Sequence, residues 1–556
     1  MNSLERRGKM KVWNWSRLLI VIALLVLIAG CAGGEAQPTG APAATEPPAA
    51  AQPTAAPTEA TQPTAAQPTA APTEAAQPAA EGEVDVAQAL KATSGKKFSG
   101  VTVVVVGVSG DQGEFIKKAA KGWEDATGGT VELNLIPFGE LQDKVLAALS
   151  AGAFIGDVLN VPAYMDGDLM GGGYIEPVPD EVKQRLEWDD IMPLYQEQTN
   201  WGGVTYGYPW DGDIHSMYYR KDLIGDPQNQ EKFKAKYGYD LHAPATWEEY
   251  HDVAEFFTGD WGDGKQHYGS VELFMRKNQG FHGYVSRATC YAKMPDDKAF
   301  FFDPDTMDAR INNPGFVQAL QDAVDILPYS PPDMLNYGFI ENAQAFVGGL
   351  VALDIQWADI GTMALDPSMS TIKGKVGFSM SPGCTKTWDS RAGNWVDFPD
   401  VNYAPYAAFG GWQNLVPKNA KNKEAAIDLA AYLASPPIMK LASLTGGSGV
   451  NPARYSTIKD IDAWVKAGFP GAEDAKAYLD MIQKVQEYPN TVFQLRLPGY
   501  VQYQDALELA VSKALSRQAS PQEALDEAAR EWDGITDRLG RDNQKKLYRQ
   551  SIGLTD

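Results

Sequence analysis

Residues 98–161 alternate short apolar runs with amphipathic stretches, and that rhythm predicts the first elements. The β-branched run Val101 to Val106 reads as a strand buried on both faces. A glycine-bounded loop, Gly107 to Gly113, leads into a helical pattern from Glu114 through Trp123. A strand over Val131 to Ile136, a helix from Glu140 to Ser150 and a strand over Asp157 to Val161 follow. Strands that alternate with helices in this way make βαβ units and a parallel sheet. Ligands bind outside the carboxyl ends of such strands, so the loops starting at Ser109 and Pro162 become site candidates. From Trp201 the pattern changes to a glycine-turned hairpin, a Pro-Trp break at Trp210 and a strand from Ile214 to Tyr219. Thr246 and Glu249 then form a capping box for a helix running to about Phe257.

The amino terminus has a different character. Five basic residues (Arg6, Arg7, Lys9, Lys11, Arg17) precede an uncharged apolar stretch, Leu18 to Gly30, which ends in small residues and Cys31. That is the order of a secretory signal, and the stretch is short of the about 20 residues needed to cross a bilayer. Residues 31–82 repeat Ala, Pro and Thr with no aromatic side chain. Such a segment buries too little surface to offset chain entropy and is expected to be a disordered linker, with a reach of at most about 150 Å as polyproline II.

Composition narrows the function. The 556 residues are 44% hydrophobic, enough for two or three domains once the first 82 are set aside. A formal charge of -23 with scattered basic residues argues against nucleic-acid binding. It favours a neutral ligand over an anionic one, with Arg496 the residue that would reverse this. After Cys31, two cysteines remain, Cys290 and Cys384; in an oxidising compartment they form either a disulfide or two buried thiols. Two cysteines and five scattered histidines supply no metal cluster, and no cofactor is expected.

The string Ile28-Ala29-Gly30-Cys31 resembles the bacterial lipobox, in which the signal peptide 1–30 is removed before a lipidated cysteine; the alternative is an ordinary signal with an incidental cysteine. Four further stretches, in order, resemble the extracellular solute-binding proteins of ABC importers, in the carbohydrate-binding branch that includes maltose-binding protein. They are Tyr206 to Leu223 with Pro244 to Glu249, Gln344 to Trp357, Gly410 to Pro437, and a helical tail from Ala506 to Trp532. The resemblance implies an α/β, two-lobed periplasmic-binding-protein-like fold with hinge crossovers. One lobe would hold 98–212 and 404–455, the other 213–403 and 456–540. It also implies a monomeric binder, lipid-anchored on the outer face of the cell membrane, that delivers its ligand to ABC permease subunits. Insertions around Asp296 to Asn313 and Cys384 to Asp400 depart from compact members and are placed to reshape the cleft.

Sugar recognition needs carboxylates or amides for vicinal hydroxyls and flat aromatic faces for C–H surfaces. Trp210, Trp357 and Trp412 end predicted cleft strands, flanked by Asp211, Asp213, Asp354, Asp359, Gln413 and Asn414. Asp213 lies six residues before Tyr219, the spacing at which maltose-binding protein keeps a ligand carboxylate. Tyr500 and Tyr503 occupy a stretch where similar proteins place a stacking aromatic. Each has a plainer alternative. Trp357 continues the face of Val351, Leu353 and Ile355 and would finish the core. Asp211 and Asp213 suit a solvated turn, Tyr164 and Asp166 a helix start, and Ser109 and Asp111 a helix cap. Asp260 to Gly264 lacks the spacing of a calcium loop.

Two other classes compete. An exported lipoprotein glycosidase would use two aspartates as acid and nucleophile, but no hydrolase signature is present. A surface sensor or adhesin would keep the fold without transport. The expectation is a binding protein, not an enzyme.

Overall fold

The computed structural model describes residues 84–446 and 448–554, so the signal, Cys31 and linker readings fall outside it. Nine strands build two sheets. They are β1 (Thr102–Val108), β2 (Thr130–Ile136), β3 (Val158–Pro162), β4 (Tyr208–Pro209), β5 (His215–Arg220), β6 (Tyr268–Glu272), β7 (Val351–Trp357), β8 (Val376–Met380) and β9 (Trp412–Leu415). The first sheet has the order β2-β1-β3-β9-β4, with β1 parallel to both neighbours and β9 antiparallel to β3 and β4. The second has the order β8-β5-β7-β6 and mixes antiparallel pairs with the parallel pair β6 and β7.

The β-branched run makes β1, with Val103, Val105 and Val106 buried. Behind it, the helix Asp111–Thr127 buries Phe115, Ala119 and Trp123 along one stripe and Ile116 and Ala120 beside it, then stops at Gly128 in the left-handed region. Trp123 Nε1 donates to Asp428 at 2.8 Å, which ties this helix to Lys423–Leu433 and returns residues after 412 to the first sheet. The capping box at Thr246 and Glu249 opens Trp247–Phe256.

Three sequence expectations change. Ordered structure starts before Phe98: Asp85 caps the short helix Val86–Ala89 by accepting from Gln88 N at 2.9 Å, and Ala89 and Ala92 are buried. Although alanine-rich like the linker, this stretch spaces its alanines to face a core. The helical tail is two helices, Tyr500–Leu515 and Pro521–Leu539, because Arg517 adopts φ 58° and Ser520 with Glu523 caps a new start at Pro521. A further helix, Arg541–Ser551, follows, and its Tyr548 hydroxyl accepts from Phe300 N and Phe302 N in the first insertion.

The second insertion is a hairpin of Cys384–Asp389 against Asn394–Asn402. A disulfide joins Cys384 to Cys290, with Cα atoms 5.6 Å apart, and pins the hairpin to the helix Gly280–Ala292. All thirteen residues of that helix are buried. Its first turn is capped from elsewhere in the chain: Glu508 accepts from Lys277 N at 2.7 Å and from Phe281 N at 3.2 Å. Among the described residues, no helix is long and apolar enough to cross a membrane.

Candidate functional site

The chain passes between the sheets at residues 210–214, again after Asn402, and at 448–455. Strand ends from both sheets meet there, and two buried polar clusters result.

The first is acidic. Asp211 Oδ1 accepts from Asn451 N at 2.6 Å, while the Asn451 side-chain amide donates to Asp213 at 3.2 Å and to Asp359 at 3.1 Å. Gln486 Nε2 closes the cluster by donating to Tyr195 OH at 2.9 Å and to Pro452 O at 2.8 Å. Burial pushes Asp211 and Asp213 well above the usual carboxylate range, with the neighbouring acids adding to it, and burial also raises Asp359. One asparagine thus bridges the two passages at 210–214 and 448–455. The solvated turn that was the alternative to a ligand role for Asp211 and Asp213 does not form, because both side chains are buried.

The second is aromatic. Trp357, at the end of β7, stacks on Phe409 with centroids 4.8 Å apart; His215, at the start of β5, meets the Trp357 ring at 4.2 Å and 79°. His282 stands edge-on to Phe409 at 4.5 Å. Tyr164, just past β3, stacks on Tyr500 at 4.9 Å and touches Phe409 at 5.7 Å, while Phe138 packs on Phe409 and Trp412. Phe409 holds φ 53°, a left-handed conformation rare for a bulky residue and of the kind that collects at functional sites. His215 and His282 are each 0% exposed, and burial drives His215 down to about 3 and His282 well below its ordinary value, so both imidazoles are neutral.

The remaining sequence candidates are dispersed. Asp166 is buried, accepts from Gln413 Nε2 at 2.5 Å and lies 3.6 Å from Arg496; burial still raises it to about 8. Arg496 spends its other contacts on the carbonyls of Gln198 and Ser551, so it tethers the tail. Asn414 accepts from Asn160 at 3.0 Å inside the first sheet. Trp210 is fully buried beside Phe115, and Tyr503 packs on Trp532 with its hydroxyl on Thr536, between helices. Ser109 and Asp111 are exposed at the turn after β1. A surface cavity of about 330 Å³ lined by Asp305, Asp542, Lys545, Lys546 and Arg549 shares no residue with either cluster.

Sequence reasoning missed Phe138, His215, His282, Tyr406, Phe409 and Asn451. Two signals were there to read: a histidine inside an apolar strand at His215, and a phenylalanine directly before Gly410 and Gly411.

Two α/β sheets joined by crossovers, with a ring cluster where their strand ends meet, define the periplasmic solute-binding fold. The profile of the bacterial extracellular solute-binding proteins matches residues 118–470, and the chain belongs to that family of binding proteins. A Sinorhizobium fredii protein named probable amino-acid ABC transporter periplasmic-binding protein y4oP is 25% identical over 389 residues, covering 67% of this chain and 77% of its own. The mannitol-binding protein of Pseudomonas aeruginosa is 24% identical over 342 residues, 61% of this chain and 68% of its own. A solved ABC transporter solute-binding protein from Agrobacterium radiobacter K84, in complex with ribitol, superposes with TM-score 0.62 at 22% identity, over 79% of this chain and 100% of its own.

Proposed function

We propose that this protein is the substrate-capturing component of an ABC importer that takes a neutral sugar or polyol between two lobes built on the two sheets and hands it to a membrane permease. Lipidation at Cys31 would hold it on the outer face of the membrane, with 31–82 as the spacer and a monomeric body. The observation that carries this reading is the ring cluster of Tyr164, Trp357, Phe409, Trp412 and Tyr500 with His215 and His282 against it, whose polar members include neutral imidazoles and phenols. Aromatic faces with neutral hydrogen-bonding groups suit C–H surfaces and hydroxyls. The relatives divide between a probable amino-acid binder and polyol binders. Among the described residues no Lys or Arg stacks on a ring of the cluster, and the buried Arg496 gives both terminal nitrogens to backbone carbonyls, so the aromatic faces favour the polyol side.

A thermal-shift and calorimetric screen of ribitol, D-mannitol, maltose, monosaccharides, amino acids and polyamines tests it. A melting shift with a sugar or polyol is expected. A shift with amino acids or polyamines alone overturns the ligand class. Acyl labelling of Cys31 in the exported protein, lost in Cys31→Ser, checks the anchor.

A further inference from the structure

The two buried histidines do more than pack, and their Nδ1 contacts point to one tautomer. Ser286 Oγ lies 2.9 Å from the carbonyl of His282 and 2.6 Å from His215 Nδ1; with its one proton assigned to the carbonyl, which can only accept, it offers Nδ1 a lone pair. Nδ1 of His215 therefore carries the proton. Tyr406 OH donates to Gln494 Oε1 at 2.6 Å, so toward His282 Nδ1, 3.4 Å away, it too acts as the acceptor. Nδ1 of His282 is protonated by the same reasoning. Both Nε2 atoms are then bare lone pairs, both are fully buried, and neither has a hydrogen-bond partner in the protein. They flank Trp357 and Phe409, the ring pair that joins the end of β7 to the segment leading into β9, with imidazole centroids 6.4 Å apart.

We propose that His215 and His282 determine specificity by each presenting a bare Nε2 to the bound solute, which must bring two O–H donors to satisfy them. This rests on the carbohydrate reading above and sharpens it. A ring that offers only ether and C–H groups at those two positions is rejected, because closing over it leaves two buried acceptors unpaired. Two hydroxyls of a sugar or alditol satisfy both. Neutral imidazoles read donors without attracting charge, which separates polyols from carboxylates and phosphates.

The test uses the full chain with ¹⁵N-labelled histidine, titrated with D-mannitol beside the sugar and polyol panel. The free protein should show both imidazoles neutral with the proton on Nδ1. On binding, the two Nε2 resonances should move while the Nδ1 resonances stay. His215→Phe and His282→Phe should each lose about 10-fold or more in affinity at unchanged or higher melting temperature. A deoxy analogue should lose affinity for the wild type and little for the variant. Protonated Nε2 in the free protein, unmoved Nε2 resonances with a sugar bound, or unchanged affinity in both variants overturns the assignment and leaves the carbohydrate reading standing. Failure of every sugar and polyol to bind overturns both.

Discussion

Asp213 and His215 are two residues apart, yet they belong to buried clusters of opposite design. Asp213 shares the amide of Asn451 with Asp359 beside Asp211, so each acid there has at least one oxygen held by the protein, although Asp211 Oδ2 and Gln486 Oε1 have no partner in it. His215 and His282 spend one nitrogen each on the protein and leave the other bare. Acids tied to one asparagine on the crossing segments lock the crossing in one geometry, whereas two ring nitrogens left open beside an aromatic pair are free for a partner from outside. The contrast separates a crossover clamp from a reading head.

The hardest way to break the contrast is Asn451→Leu, which keeps the backbone N–H on Asp211 but strands two buried acids, Asp213 and Asp359. It should cost about 3 kcal/mol in urea unfolding, with solute affinity of the folded protein nearly kept. Loss of affinity at full stability would move the acids into the binding site.

Opposite pH slopes come next. His215 is held down at about 3 against an ordinary 6.5, so its stabilisation is complete above pH 6.5 and lost as pH falls toward 3. Asp166 is raised to about 8, so stability tied to it is fullest below the ordinary carboxylate value and lost as pH climbs to about 8. Each group contributes up to about 1.4 kcal/mol per pH unit in its window. His215→Phe should flatten the acid limb and Asp166→Asn the neutral one, read from melting temperature against pH. Unaltered limbs refute the assignment of each group.

Trp357→Ala should weaken solute binding by about 1 kcal/mol by calorimetry, since its face is stacked on Phe409 across the crossing. Unchanged affinity returns Trp357 to the core. Glu508→Gln should cost about 1 kcal/mol of stability in urea unfolding, because it keeps one acceptor oxygen, turns the other into an NH2 facing a backbone N–H, and removes the charge from a helix start.

Local pattern was enough for β1, β2, β3 and the helices between them, because each buries a periodic apolar face. The capping box at Thr246 was legible for the same reason, being chemistry within four residues. What was not legible came from contacts far apart in sequence. Asp211 reads as a cleft ligand or a turn residue until Asn451, 240 positions away, supplies a partner. Trp357 offers no decision by alternation, since all seven residues of β7 are buried. Of the site candidates, Tyr164, Trp357, Trp412 and Tyr500 meet in one ring cluster, Tyr503 turns to Trp532, and Ser109 and Asp111 face solvent.

Glu508 gives the molecule a timetable. The helix that carries His282 begins with backbone donors whose acceptor lies 231 and 227 positions further along the chain. While the protein is being made and exported, that helix start stays uncapped until the last tenth of the chain has emerged. A product cut short before residue 508 would keep both sheets and lack a finished reading head, so loss of binding would report an incomplete chain before loss of secondary structure did.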